Sequence, residues 1–117
     1  MKVSEIATAL GLEDLTPELQ GSDGADVTGA YVSDLLSDVL AHAPRGGLLV
    51  TVHVHMNVIA VAVHAGLAAV VFALGRAPEE AVRKKAADEG VRLYGSKETA
   101  FDLVGRLYAL GLRGRHA

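Results

Sequence analysis

The strongest constraint on this chain is a repeated alternation of short aliphatic runs with segments of helical length. Residues 48–54, 67–74 and 91–94 are rich in Val and Leu and have the length of buried strands. Residues 57–65, 79–89 and 97–110 follow them in turn, ended by Gly66, Gly90 and Gly111, where a helix favours a left-handed residue. Pro78 suits the first position of the middle helix, whose acids precede Arg83, Lys84 and Lys85 as the macrodipole favours. Ser96 stands where a cap for the last helix is expected.

Upstream, Ser33-Asp34 begins a helix with Leu35, Leu36, Val39 and Leu40 at helical spacing, and Pro44 and Gly46-Gly47 stop it. Ser4 is expected to cap a short helix over 5–10 that Gly11 closes. Residues 13–26 read as a turn-rich loop around a short strand near Leu15, and 26–31 as another strand. Strand–helix units of about 25 residues require βαβ crossovers. The expectation is therefore an α/β fold: a single domain with a mainly parallel sheet flanked by helices.

Composition narrows the function classes. The 117 residues carry a formal charge of −3, which argues against a nucleic-acid binder with its basic stripe. The domain is expected over 1–112, with a solvated basic tail over 113–117 (Arg113, Arg115 and His116). With no cysteine, disulfides, thiolate metal ligands and thiol chemistry are removed. The first ten residues include an acid and polar side chains, unlike a signal peptide, and the apolar stretch 56–74 is broken by Asn57, His64 and Gly66. These features give the expectation of a soluble, cytoplasmic protein with no membrane partner.

In an open parallel sheet, ligands bind beyond the carboxyl ends of the strands, where loops enter helices. Four segments are assigned to that edge: Thr28-Gly29 through Asp34, His53-Val54-His55-Met56-Asn57, Gly75-Arg76, and Gly95-Ser96-Lys97. Their imidazoles, hydroxyls, amide, guanidinium and ammonium suit a phosphate-bearing ligand. In an extended strand His53 and His55 would share a face, a spacing also used for metals, with Asp34 or Asp38 as a carboxylate. The competing reading has one histidine hydrogen-bonded at the strand end and Asn57 capping the next helix, and it is favoured because no third ligand stands at a fixed spacing. His42 and His64 fall near helix ends, where a cation suits the dipole. Asp34 and Asp38, read on one helix face, are assigned to dipole complementation before acid–base work. No G-x-S-x-G elbow is present. Residues 90–97 approach a Walker A pattern but end Ser-Lys instead of Lys-Ser or Lys-Thr, and their middle reads as strand.

Asp26-Val27-Thr28-Gly29-Ala30, followed by Tyr31-Val32-Ser33-Asp34-Leu35-Leu36-Ser37-Asp38-Val39, resembles the DRTGG domain family. The resemblance continues through Thr51, His53 and His55-Met56-Asn57-Val58-Ile59-Ala60-Val61-Ala62. It then takes in Gly75-Arg76, Pro78, Ser96-Lys97, Ala100-Phe101 and Gly105-Arg106-Leu107-Tyr108. Val27 stands where the family has arginine and Ala30 where it has the second glycine. The resemblance implies an α/β domain akin to the non-catalytic N-terminal domain of bacterial HPr kinase/phosphorylase. It is also akin to regulatory inserts beside CBS domains in pyrophosphatases and to the N-termini of some phosphotransacetylases. It implies a regulatory or dimerising role, and the serine-kinase label attached to such chains by association lacks a P-loop here.

The resulting expectation is a non-catalytic, homodimeric sensor of a nucleotide or other phosphorylated small molecule, without a cofactor. Its contacts are expected from Thr28, Gly29, His53, His55, Asn57, Arg76, Ser96 and Lys97. One alternative is a structural module that dimerises or docks a protein partner. A less favoured one is a metal-assisted hydrolase built on His53, His55 and Asp34 or Asp38.

Overall fold

A computed structural model describes residues 1–19 and 24–114; part of the turn-rich loop (20–23) and the Arg115-His116 end of the basic tail lie outside the described residues. The elements run α1 (Val3–Leu10), β1 (Glu13–Asp14), a short 3-10 turn (Pro17–Leu19), β2 (Ala30–Val32), α2 (Leu36–His42), β3 (Leu48–Thr51), α3 (Asn57–Ala65), β4 (Ala69–Phe72), α4 (Glu80–Asp88), β5 (Arg92–Gly95) and α5 (Ala100–Ala109). The sheet order is β1-β5-β4-β3-β2, with β2 to β5 parallel and β1 antiparallel on the outer edge of β5.

The two-residue period of the strands divides the core into two layers. Leu49, Val70, Phe72 and Leu93 face Val39 of α2, Val58 and Ile59 of α3, and Val82 and Ala86 of α4. Leu48, Val50, Val71 and Tyr94 face Ile6 and Leu10 of α1 and Leu103 and Leu107 of α5. Every residue of β3 and β4 is buried, which is why those strands read as unbroken apolar runs. Among the described residues, no helix is long and apolar enough to cross a membrane.

The fold class is the one expected from the alternation, and Gly11 (φ +64) and Gly66 (φ +65) close α1 and α3 in the left-handed conformation. Several local expectations are corrected by side-chain competition for the backbone. The strand expected over 48–54 stops at Thr51 because the next two amides leave the ladder: Val52 N–H donates to Asp34 Oδ1 (2.9 Å) and His53 N–H to Thr51 Oγ1 (3.1 Å). His53 and His55 therefore lie in a loop and not on one strand face. The strand expected over 26–31 is displaced to 30–32, since Asp26 bridges to Lys2 and Thr28 N–H donates to Gly46 O.

Helix starts shift for the same reason. Ser33 Oγ accepts from Leu35 N–H and delays α2 to Leu36, which leaves Asp34 outside the helix that was expected to carry both acids. Asn57 is the first helical residue of α3, its N–H held by His55 Nδ1 (3.1 Å), so the imidazole takes the part expected of the amide. Lys2, not Ser4, occupies the cap position of α1, and Glu5 accepts its N–H. Pro78 lies one residue outside Glu79, the cap position of α4. Thr99 caps α5 in place of Ser96, accepting from Asp102 N–H.

Candidate functional site

The order of the parallel strands decides where a crevice opens. The loops after β2, β3 and β4 lead to α2, α3 and α4 on one face of the sheet, whereas the loop after β5 leads to α5 on the other. Neighbouring loops that part to opposite faces leave a gap at the carboxyl edge, the usual ligand position in open α/β sheets. At the carboxyl ends of β4 and β5, bounded also by the end of α1 and by β1, lies a cleft of about 400 Å³. Gly75 and Arg76 line it from the β4 side, Gly95 through Glu98 from the β5 side, and Gly11 and Glu13 from the turn that leads into β1.

Backbone bonds fix the two walls against each other. Leu74 N–H donates to Glu98 O and Gly75 N–H to Ser96 O, each at 2.8 Å, while Ser96 N–H donates to Phe72 O at 2.9 Å. Reaching this geometry places Leu74 at φ +60, the one positive φ among the described non-glycine residues. A left-handed conformation costs about 1–2 kcal/mol for a side chain with a Cβ. Leu74 is also largely exposed, so little packing offsets that cost. Leu74→Gly is therefore expected to stabilise the domain by about 0.5–1 kcal/mol in urea denaturation after glycine's own entropy is subtracted; a net loss would contradict the strain.

The charges of the cleft are unevenly engaged. Glu98 is ion-paired with Arg106 Nη1, and Arg106 also donates through Nη2 to Ala9 O (3.1 Å), tying the end of α1 to the β5–α5 loop. The Arg76 and Lys97 side chains have no hydrogen-bond or ion-pair partner among the described residues, and both residues are exposed. Both cations thus line the cleft, and Glu13 is the one acid of its lining whose side chain has no partner among the described residues. Ser96 Oγ accepts from Glu98 N–H (3.1 Å), which shapes the loop and leaves the hydroxyl proton available to a ligand.

Of the eight residues expected at the site, the structure brings Arg76, Ser96 and Lys97 together in this cleft. His53, His55 and Asn57 lie beyond β3, further along the same edge, with the imidazole rings 6.3 Å apart. His55 Nδ1 accepts from Asn57 N–H, while His53 Nε2 is buried without a hydrogen-bond partner among the described residues. Asn57 lines a separate groove between α3 and α4. Thr28 and Gly29 are at the amino end of the sheet. There Thr28 Oγ1 donates to Arg45 O (2.6 Å) and Gly29 O accepts from Leu48 N–H (3.0 Å). A Cβ on Gly29 would come within 2.6 Å of Arg113 O, so close chain packing accounts for that glycine.

The aspartates act locally. Asp34 Oδ1 accepts from Thr51 Oγ1 (2.8 Å) and Val52 N–H (2.9 Å), fastening the β2–α2 loop to the end of β3. Asp38 accepts from Tyr31 OH (2.9 Å) and from His42 Nδ1 (3.0 Å). Among the described residues no three His, Asp or Glu side chains converge as metal ligands, so the constellation needed by the hydrolase alternative does not form. Hydrogen bonds from Ser33 and then Tyr31 hold the Asp38 carboxyl below its usual range, with a further contribution from His42. A depressed folded-state value stabilises the fold at pH above the unfolded carboxylate value, and that stability is lost as pH falls through the lowered one. Asp38→Asn is expected to flatten the acid limb of a stability–pH profile; an unchanged acid limb would contradict this role.

Glu13, Leu74, Glu98 and Arg106 were not legible as site residues. Glu13 reaches the cleft only because β1 pairs antiparallel with β5, setting Glu13 opposite Gly95.

No family model matches the sequence, and no curated protein matches it. In structure, the chain is similar to the CBS and DRTGG domains of the regulatory region of Clostridium perfringens pyrophosphatase, a crystal structure complexed with the activator diadenosine tetraphosphate. The TM-score is 0.72 at 11% sequence identity, over 96% of this chain and 47% of that one. The chain thus spans about half the length of that regulatory region. The likeness establishes a shared fold, a mainly parallel α/β domain.

Proposed function

We propose that this chain is a DRTGG-like, non-catalytic regulatory domain that binds a nucleotide or other phosphorylated small molecule in the β4/β5 crevice. The observation that carries the reading is the pair of cations, Arg76 and Lys97, whose side chains have no partner among the described residues and which both line the cleft at the carboxyl ends of β4 and β5. Arg76 supplies a planar fork for phosphate oxygens and Lys97 a mobile point charge. Ser96 adds a hydroxyl, and the glycines allow close approach of the backbone. The pyrophosphatase region of the same fold was crystallised with a dinucleotide polyphosphate, which supports this ligand class. A ligand of that length, extended along the carboxyl edge, would bring His53, His55 and Asn57 into reach. Thr28 and Gly29 are left to hold the amino end of β2.

A thermal-shift panel of mononucleotides, dinucleotide polyphosphates, sugar phosphates and orthophosphate tests the proposal. Specific binding at about a hundredfold over Kd stabilises the folded state by ~2.7 kcal/mol, a readily measured rise in Tm. No rise with any member of the panel would overturn the sensor reading.

A second reading, a homodimer or partner-docking module in a cytoplasmic protein, is favoured by one specific observation. One flank of α5 is apolar and open, with Phe101 87% and Tyr108 58% exposed. The two readings are compatible, since a regulatory domain can bind at its crevice and assemble through its flank.

A further inference from the structure

Gly105 lies in the middle of α5, where glycine is about 1 kcal/mol less favourable than alanine. Its own fold gives no reason for it: a Cβ built there meets nothing within 4 Å. One turn before it stands Phe101 and nearly one turn after it Tyr108, and with Val32, Ala100 and Val104 they line an open apolar groove. Val32 belongs to β2, the outer strand of the sheet, and is 48% exposed. The Ala30 N–H turns outward to Arg113 O, so the chain's final described segment covers the start of that edge. Two residues on, Val32 faces the same way with no strand beyond it among the described residues.

We infer that this face receives a second copy of the same chain, α5 against α5 and antiparallel, with Phe101 of each copy seated over Gly105 of the other. The inference rests on the homodimer reading above and locates its interface. A two-fold contact is isologous: if one residue meets a second, the second must meet the first, so projection and recess must lie on one patch. Phe101 and Gly105, four residues apart on one helix face, meet that condition, and a glycine recess lets the backbones approach closely. The groove residues carry no charge, Arg106 on the same helix is engaged by Glu98, and the Arg113 guanidinium, 3.7 Å from the Tyr108 ring centroid, puts a cation at the edge of the patch. Phe101 and Tyr108 together expose on the order of 300 Å², a core around which rim residues complete the roughly 800 Å² per partner of a stable dimer.

Sedimentation of the full chain across ~1–100 μM tests the interface. The unmodified chain is expected at twice its 12.2 kDa mass. Phe101→Ser and Gly105→Leu are each expected to raise the dimer dissociation constant at least about tenfold. Gly105→Leu is the informative variant, because the monomer has room for the side chain and the helix gains propensity. It should keep or raise the thermal midpoint at low concentration while losing self-association. A monomeric wild type throughout the range overturns the inference, whatever other protein covers this face, as does a dimer that both variants leave intact. Ligand-induced stabilisation retained in monomeric Phe101→Ser would separate this interface from the crevice, so that failure of one claim is not mistaken for failure of the other.

Discussion

Replacing Asp34 by alanine is expected to destabilise the domain by about 2 kcal/mol in urea denaturation near neutral pH. One carboxylate oxygen accepts both the Thr51 hydroxyl and the Val52 amide. Thr51 is 1% exposed, so its hydroxyl cannot turn to water once Asp34 is gone. Val52 N–H is exposed and recovers a water partner, which holds the loss below the sum of two charge-assisted bonds. Asp34→Asn keeps an acceptor oxygen and should cost less, about 0.5–1 kcal/mol. Because Thr51 Oγ1 also receives the His53 amide, the alanine variant should loosen the loop bearing both histidines. A loss below about 0.5 kcal/mol for Asp34→Ala would show that this fastening contributes little.

Arg76→Ala and Lys97→Ala are expected to weaken binding of whichever phosphorylated ligand stabilises the domain most, each by about ten- to a hundredfold. Neither side chain has a partner among the described residues, so neither change should move the urea midpoint appreciably. That separation between binding and stability distinguishes a ligand contact from a structural residue. The binding should also weaken with ionic strength, since both cations are exposed and open to screening. Equal affinity in both variants, measured by titration calorimetry, would remove the crevice as the phosphate site.

The parts of this protein that the sequence discloses are those set by local pattern. The fully buried runs of β3 and β4 and the glycine closures of α1 and α3 needed only periodicity and composition to be read. The ends of elements were not readable in the same way. Asp34, seventeen residues before Thr51, takes the amide that would have continued β3, and no local pattern announces so distant an acceptor. His55 holding the first amide of α3 was hidden for a related reason, because the amide side chain of Asn57 is the commoner cap.

The candidate site was half legible. Of the residues that the carboxyl-edge rule selects, Arg76, Ser96 and Lys97 share one cleft. Thr28 and Gly29, expected at that edge, lie at the opposite end of the sheet because β2 starts at Ala30 and not at Asp26. Strand order, which locates the crevice between β4 and β5, depends on the tertiary fold. So does the antiparallel return of β1, which brings Glu13 to the cleft.

Occupation of the crevice at β4 and β5 by a phosphorylated ligand can be observed residue by residue. Amide chemical-shift mapping of the isotope-labelled chain, titrated with the most stabilising member of the nucleotide panel, tests it most directly. The predicted result is a set of large shifts at Gly75, Arg76, Ser96, Lys97 and Glu98, extending to His55 and Asn57 only for a long dinucleotide ligand. Shifts confined to Thr28, Gly29 and the Pro44–Gly47 turn, or none with any member of the panel, would contradict it.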